Sequence, residues 1–113
     1  KCQNFPTATI AITEPQMFPD FNKINNNFFR KFNFIRWGTD ALGYMRCSEG
    51  IIDGVIERNM KIWDLAAIEP IINNAGGIIS TWDGKKIGSN DTVCASGDKK
   101  LHNLMVNSLQ NYI

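Results

Sequence analysis

The segment that most constrains the fold of this chain runs from Trp63 to the double glycine Gly76-Gly77 and on through the apolar run at 78–82. Its middle carries apolar residues at helical spacing, and glycine is the residue that most often ends a helix in the left-handed conformation. The short apolar run that follows is typical of a buried strand. The segment therefore predicts a helix that passes directly into a strand, which is the repeating unit of an α/β protein.

Asp64 lies at the start of this predicted helix and has two interpretations. As an N-cap, its side-chain oxygen would accept hydrogen bonds from the free backbone N–H groups of the first turn. Ligands of α/β sheets bind where strands end and helices begin, so the same carboxylate could belong to an active site. The residues alone leave both interpretations open.

Composition bounds the class of protein. With 113 residues, of which 43% are hydrophobic and 11% aromatic, we expect one globular domain with a real core over residues 1–113. The 12 basic and 11 acidic residues are balanced, which argues against nucleic acid or an anionic membrane as a partner. No apolar run approaches the ~18 residues of a membrane span, and the first residues do not resemble a signal peptide.

The three cysteines, Cys2, Cys47 and Cys94, are far apart and do not form a C-x-x-C pair. Their number and spacing indicate neither a disulfide framework nor a zinc site, and a reducing cytoplasm is the expected location. His102 is the one histidine of the chain, so a histidine-based metal site is excluded. We expect His102 at the surface, beside the apolar stripe of the last helix.

The other patterns predict strands that alternate with helices. Strands are expected at 7–13, 32–37, 51–57, 78–82 and 92–96, and helices at 20–32, from Thr39 or Asp40 to Gly50, from Asp64 to Gly76, and from Asp98 to Tyr112. This order predicts an α/β fold with a small mixed, mainly parallel sheet flanked by helices on both faces.

Helical spacing also predicts which side chains face the core. The expected buried faces are Ala41, Tyr44, Met45 and Ser48 in the second helix, Leu65, Ile68, Ile72 and Ala75 in the third, and Leu101, Leu104, Met105, Ser108, Leu109 and Tyr112 in the last. Pro70 removes one backbone donor inside the third helix, where a kink is expected.

Charged residues at three predicted strand-to-helix junctions are the candidates for chemistry: Arg36 with Asp40, Glu57, and Asp64. Each has a purely structural alternative. Arg36 and Asp40 could form a local ion pair or cap, Glu57 could be a solvated strand end, and Asp64 could cap its helix. Gly38 and Thr39 could offer backbone N–H groups to an anion.

The sequence W-D-L-A-A from Trp63, followed by N-A-G-G up to Gly77, resembles the C-terminal signature of the inositol monophosphatase family of Mg²⁺-dependent phosphatases. The resemblance extends over nearly the whole chain, from Thr13 to the final helix. The segment R-W-G-T-D at 36–40, with Tyr44 and Glu57, is most similar to the histidinol-phosphatase branch of histidine biosynthesis. Histidinol phosphate therefore ranks above inositol phosphate or another sugar phosphate as the expected substrate.

The resemblance also implies roles for residues. Asp64 corresponds to a Mg²⁺-binding aspartate that lies near the substrate, and a hard cation of this kind prefers carboxylate oxygens. Substrate contacts are implied for Arg36, Gly38, Thr39, Asp40, Glu57 and Asp64. In a histidinol enzyme, Asp40 and Glu57 would suit the cationic amine or imidazole, while the metal would screen the phosphate and activate a water.

One large departure limits these expectations. Members of the family are more than twice as long, and their first half supplies a metal-binding glutamate and a D-P-[IL]-D-G-[TS] motif that this chain lacks. The chain is thus expected to be the C-terminal domain without the N-terminal catalytic-metal domain, and to contain no catalytic base or residue that positions the nucleophile.

Without those ligands, Mg²⁺ binding and phosphatase activity of the chain alone are expected to be weak or absent. Its expected partners are a small phosphorylated metabolite, the missing N-terminal half and a second copy of itself in a homodimer. A non-catalytic binding module from a truncated or split gene is the alternative from another class.

Overall fold

The computed structural model describes residues 2–38, 41–58 and 62–112, and the side chains of all of these except residues 41 and 62–64. The strands are β1 (Thr9–Ile12), β2 (Phe34–Trp37), β3 (Gly54–Glu57), β4 (Ile78–Ser80) and β5 (Val93–Ser96). The helices are α1 (Phe21–Asn27), α2 (Ala41–Ser48), α3 (Ile62–Asn74) and α4 (Lys99–Leu109). Among the described residues, no helix has the length and apolar character that crossing a membrane requires.

The described strands form one five-stranded sheet in the order β2-β1-β3-β5-β4. β1 pairs in parallel with both β2 and β3, while β5 runs antiparallel to β3 and β4. β5 is therefore the one described strand that opposes the direction of the others. The predicted mixed, mainly parallel α/β sheet is confirmed.

Each face of the sheet has its own hydrophobic core, because successive side chains of a strand point to opposite faces. Ile10, Ile12 and Ile56 point to the face covered by α1 and α4. Ala11 and Val55 point to the opposite face, which is covered by α2 and α3. The domain thus has helices on both sides of the sheet, as expected from its alternating elements.

Trp82 joins several elements within the first core. Its ring stacks on Phe18 with centroids 5.9 Å apart, and its indole N–H donates to the carbonyl of Val93 at 3.1 Å. The guanidinium of Arg58 lies 5.4 Å from the centre of the same ring and donates to the Tyr112 carbonyl at 3.2 Å. Arg58 directly follows β3, so these contacts fix the position of the end of that strand.

The end of α3 and the start of α4 lie where the sequence predicts them. Gly76 has φ +83°, and the N–H of Gly77 donates to the carbonyl of Ile72 at 2.9 Å. Asp98 caps α4 by accepting hydrogen bonds from the N–H groups of Lys100 and Leu101 at 2.8 and 3.3 Å. These capping arrangements satisfy backbone groups that a helix end leaves free.

The first helix is shorter than the predicted 20–32. α1 ends at Asn27, Phe28 leaves the helical conformation with φ −133°, and a single 3₁₀ turn covers Phe29–Lys31. The break allows two consecutive phenylalanines to enter the core together, since Phe28 and Phe29 are each only 1% exposed. The asparagines before the break have low helix propensity, which favours the end of the helix at that point.

Three of the predicted core positions whose side chains are described are exposed. Met45 is 49% exposed, because α2 instead turns Gly43, Tyr44 and Cys47 toward the sheet. The small Gly43 and Cys47 allow the close approach that places the Tyr44 ring in the core. Ala75 and Leu104 are exposed as well, while Leu65, Ile68 and Ile72 are buried as predicted.

The expectation of a surface position for His102 is wrong. Its side chain is 4% exposed, and its Nε2 lies 2.8 Å from the Ser80 hydroxyl oxygen. That hydroxyl donates to the Thr81 carbonyl at 2.9 Å, so it accepts from His102 and fixes the proton on Nε2. The core stripe of α4 is wider than predicted and includes His102 and Val106.

Burial lowers the pKa of His102 from 6.5 to about 4. Below pH 6.5 the unfolded chain therefore binds a proton at His102 that the folded chain does not bind. The contribution of this group to the stability of the folded state is complete above pH 6.5 and is lost as the pH falls toward 4. Between pH 7 and pH 5 we expect the free energy of unfolding to fall by about 2 kcal/mol from this group. Urea unfolding at several pH values measures this change in the free energy of unfolding.

The matched control is His102→Gln, which keeps a hydrogen-bonding side chain without the titration. The variant should lose the pH dependence within this window. An equal slope in both proteins would contradict a buried neutral histidine.

Candidate functional site

The carboxyl ends of β1, β2 and β3 lie side by side at one edge of the sheet. The pairing of Ile12 with Trp37 brings the ends of β1 and β2 together, and Gly38 follows with φ +75°. The N–H of Gly38 donates to the carbonyls of Ile12 and Thr13 at 3.1 and 2.7 Å. This N–H is therefore occupied, so the expectation that it would bind an anion is wrong for Gly38.

Glu57 is the last residue of β3 and is only 2% exposed. Its Oε2 accepts a hydrogen bond from the hydroxyl of Thr13, the residue that follows β1. Burying a carboxylate is costly unless hydrogen bonds or opposite charges compensate for the lost water. The interpretation of Glu57 as a solvated strand end is thus wrong, and the side chain belongs to the interior of the site.

Tyr44 of α2 lies close to the buried carboxylate of Glu57. Burial, and after it the negative charge of Glu57, raises the pKa of the Tyr44 hydroxyl well above its ordinary value of 10.0. The tyrosine consequently stays neutral and keeps its proton. A side-chain hydrogen bond with Glu57 raises this pKa further, although the two groups are not ideally aligned.

Arg36 lies on the exposed edge strand β2, two residues before Gly38. It pairs with Ala11, whose side chain lies in the core under α2 and α3, so Arg36 projects from the same face of the sheet. Its side chain is exposed. The structure therefore places Arg36, Gly38 and Glu57 at one end of the parallel strands, with Glu57 inside and Arg36 at the rim.

The other predicted site residues are described only in part. Thr39 and Asp40 lie outside the described residues, and so does the predicted helix cap at either position. Asp64 is the third residue of α3, which begins at Ile62, and its side chain is outside the described part. The interpretation of Asp64 as the N-cap is therefore wrong, although an acidic residue in the first turn still suits the helix dipole.

Thr13 is the site residue that sequence reasoning missed. A polar residue directly after an apolar strand and before Glu14-Pro15 is the local signal that could have drawn attention to it. Its partner Glu57 is 44 positions away, so the hydrogen bond follows from the pairing of β1 with β3. These polar groups lie at the carboxyl ends of parallel strands, the position at which ligands of α/β sheets bind.

Residues 2–113 match the inositol monophosphatase family, and the chain belongs to that family. The bifunctional phosphatase IMPL2 of Arabidopsis thaliana is 29% identical over 96% of this chain and 34% of its own length. A protein of Aquifex aeolicus named fructose-1,6-bisphosphatase/inositol-1-monophosphatase is 32% identical over 81% of this chain and 34% of its own. A histidinol-phosphatase of Mycobacterium tuberculosis is 38% identical over 40% of this chain and 17% of its own.

The fold agrees with solved structures of the family. An inositol monophosphatase from Zymomonas mobilis superimposes with a TM-score of 0.86 and 30% identity, over 97% of this chain and 45% of that one. The present chain thus spans about a third of the length of the curated relatives and less than half of this structural neighbour.

The family is generally Mg²⁺-dependent, and Mg²⁺ is usually held by carboxylate oxygens together with waters and phosphate oxygens. Within the described part of the chain, no three His, Cys, Asp or Glu side chains are grouped to hold a metal ion. The buried carboxylate of Glu57 is already hydrogen-bonded by Thr13. The described side chains alone therefore do not form a divalent-metal site, and no reaction step follows from one.

The hydrogen bond between Thr13 and Glu57 yields a direct prediction. Thr13→Val keeps the shape of the side chain but leaves the buried carboxylate without this donor, which should lower the free energy of unfolding by about 1–3 kcal/mol. Thr13→Ser keeps the hydroxyl and should stay closer to the parent. Urea unfolding of the three proteins tests this, and equal losses in both variants would show that the hydroxyl contributes nothing.

Proposed function

We propose that this chain is the substrate-side half of a Mg²⁺-dependent phosphate monoester hydrolase, with histidinol phosphate as the substrate ahead of inositol phosphate or another sugar phosphate. The observation that carries the proposal is the buried carboxylate of Glu57, held by Thr13 beside Gly38 at the end of the parallel strands.

The charge of this group favours a cationic substrate. A carboxylate removed from water attracts an ammonium or imidazolium group through a charge-assisted hydrogen bond, which is roughly twice as strong as a neutral one. A polyol can offer only neutral hydroxyl donors to the same oxygen atoms. Glu57 and Asp40 are therefore assigned to the amine or imidazole of histidinol, and the match to a protein named histidinol-phosphatase supports this assignment.

Phosphate recognition is assigned to the rim of the site. Arg36 is exposed at the end of β2, where its guanidinium can bind phosphate oxygens in a forked geometry. Gly38 and Thr39 are assigned to the backbone segment that lines the site. The positive φ of Gly38 lets the chain turn from β2 toward α2 at this point.

Asp64 is assigned as the Mg²⁺ ligand that this chain contributes, and it also lies near the substrate. The remaining ligands, the nucleophilic water and its positioning residues are assigned to the part of the family fold outside this chain. When bound, the metal would screen the phosphate charge and activate a water. The chain itself is assigned no catalytic base.

The partners follow from the same assignment. Members of the family act on phosphorylated substrates and are often oligomeric. We therefore propose that the working enzyme combines this chain with an N-terminal half, forms a homodimer and acts in the cytoplasm.

The test is a chimera that joins the uncovered N-terminal part of the Zymomonas mobilis chain to this chain. Its kcat/KM is measured for histidinol phosphate, inositol phosphate and fructose bisphosphate, with and without Asp40→Ala. Because Asp40 is assigned to the cationic group, the variant should lower kcat/KM for histidinol phosphate by about tenfold or more and spare the polyol phosphates. An equal loss on all three substrates would contradict the assignment.

The isolated chain is the control for the assignment of the remaining metal ligands and positioning residues to the other half of the fold. It should show no turnover above background with Mg²⁺ present. Robust Mg²⁺-dependent hydrolysis that Asp64→Asn abolishes would contradict the assignment of the metal cluster to the other half.

A further inference from the structure

We propose that the chain carries a second binding site, for a phosphate group with a free P–OH, in a cavity between α4 and the edge strand β4. The imidazole of His102 forms one wall of this cavity, and its Nδ1 is the acceptor for that hydroxyl. The inference is independent of the proposed function, because it concerns a different part of the domain.

The cavity lies where three elements meet. β4 supplies Ser80, α4 supplies His102 and Asn103, and the turn after β4 supplies Lys85 and Lys86. Its volume is about 340 Å³, and it is open to solvent. A water molecule takes up about 30 Å³ in the liquid, so the cavity has room for a phosphate group.

The sheet separates this cavity from the candidate functional site. Ser80 bonds to His102 and so faces α4, whereas Val55 and Glu57 of β3 point to the face under α2 and α3. β5 also lies between β3 and β4 in the sheet. A ligand in the cavity would therefore not occupy the place assigned to the substrate.

His102 provides the observation that points to a ligand. Its side chain is 4% exposed, and its Nε2–H donates to the Ser80 hydroxyl oxygen. The neutral ring holds one proton, so Nδ1 is left as an acceptor. Nδ1 has no hydrogen-bond partner among the described residues. A buried acceptor without a donor is destabilising, and a donor group of a ligand at this atom would relieve that cost.

The residues at the mouth of the cavity favour an anion. Lys85 and Lys86 are exposed there, and Asn103 offers an amide donor. The Lys85 ammonium lies 3.7 Å from Asp83, but the lysine side chain is 69% exposed, so this ion pair is weak. Both lysines are therefore able to bind charged oxygen atoms of a ligand.

The two requirements together define the chemistry of the ligand. The lysines attract negative charge, while Nδ1 needs a hydrogen-bond donor, and a sulfate or carboxylate anion offers acceptors alone. A phosphate monoester has a second pKa of about 6, so near neutral pH part of it keeps a P–OH beside its charged oxygens. Inorganic phosphate keeps such a hydroxyl as well. The P–OH would donate to Nδ1 while the other oxygens accept from the lysines.

The test uses His102 as the probe, because it is the one histidine and its imidazole C–H signals in the NMR spectrum report on this cavity. The chain is titrated at about pH 6 with inorganic phosphate, methyl phosphate, dimethyl phosphate and sulfate at constant ionic strength. The last two lack a hydroxyl and between them carry one and two negative charges. Phosphate and methyl phosphate should shift the signals and bind about tenfold more tightly than either control.

Sulfate could use Nδ1 only after the ring had taken up a second proton, which a pKa of about 4 for His102 opposes at this pH. The comparison of the two hydroxylated ligands identifies the source of the phosphate group. Tighter binding of methyl phosphate would assign the site to an ester, and tighter binding of inorganic phosphate would assign it to the free ion.

Variants separate the cavity from the general charge of the chain. Lys86→Gln and Asn103→Asp change exposed positions at the mouth and should weaken phosphate binding several-fold. Lys31→Gln removes the same charge from an exposed position outside the cavity and should leave the affinity within about twofold. His102→Leu removes the acceptor and should abolish the preference for phosphate over sulfate, as measured by the amide signals of Ser80 and Lys86.

Three results would overturn the proposal. Equal binding of sulfate or dimethyl phosphate would show an adventitious ion only, attracted by the lysine charges. Equal losses in Lys86→Gln and Lys31→Gln would place the binding outside the cavity. Unchanged His102 signals with both hydroxylated ligands would show that the cavity binds neither. These readouts do not depend on catalysis, so this site and the proposed substrate can fail separately.

Discussion

A carboxylate buried at the end of β3 is the constraint on which the site depends. Glu57 is held by the hydroxyl of Thr13 from the end of β1 and lies beside the ring of Tyr44. An isolated buried charge would be strongly destabilising, so its neighbours must be positioned before it can be tolerated. The parallel pairing of β1 and β3 provides that positioning, since it brings the two strand ends to the same edge of the sheet.

The two faces of the sheet serve different purposes. The face under α1 and α4 holds an aromatic core around Phe28, Phe29 and Trp82, and the outer side of α4 is polar. The face under α2 and α3 carries the helices that follow the site, and the fully exposed side chains of α3 from Leu65 onward carry no charge.

Features set by local chemistry could be predicted from the sequence. The glycines after α3, the cap at Asp98 and the alternation of strands with helices are determined within a few residues, and so the fold class was correct. The family resemblance carried by Trp63 to Gly77 was confirmed because its motif combines several uncommon residues at fixed spacing.

Features set by packing could not be predicted in the same way. The spacing of α2 allowed either Met45 or Cys47 to face the sheet, and in the packed domain it is Cys47 that is buried. His102 was expected at the surface because it lies beside the apolar stripe of the last helix and the chain has no second histidine, but Ser80, which is 22 positions away, provides its hydrogen bond. The burial of Glu57 likewise depends on Thr13 and Tyr44, which no local pattern connects to it.

The most direct test of the account is a crystal structure of the chimera with histidinol phosphate bound. The account predicts that the amine or imidazole nitrogen lies within about 3 Å of a Glu57 carboxylate oxygen, the distance of a charge-assisted hydrogen bond. The phosphate should lie toward Asp64 and Arg36. A substrate bound with its cationic group away from Glu57, or outside the ends of β1 to β3, would contradict the account.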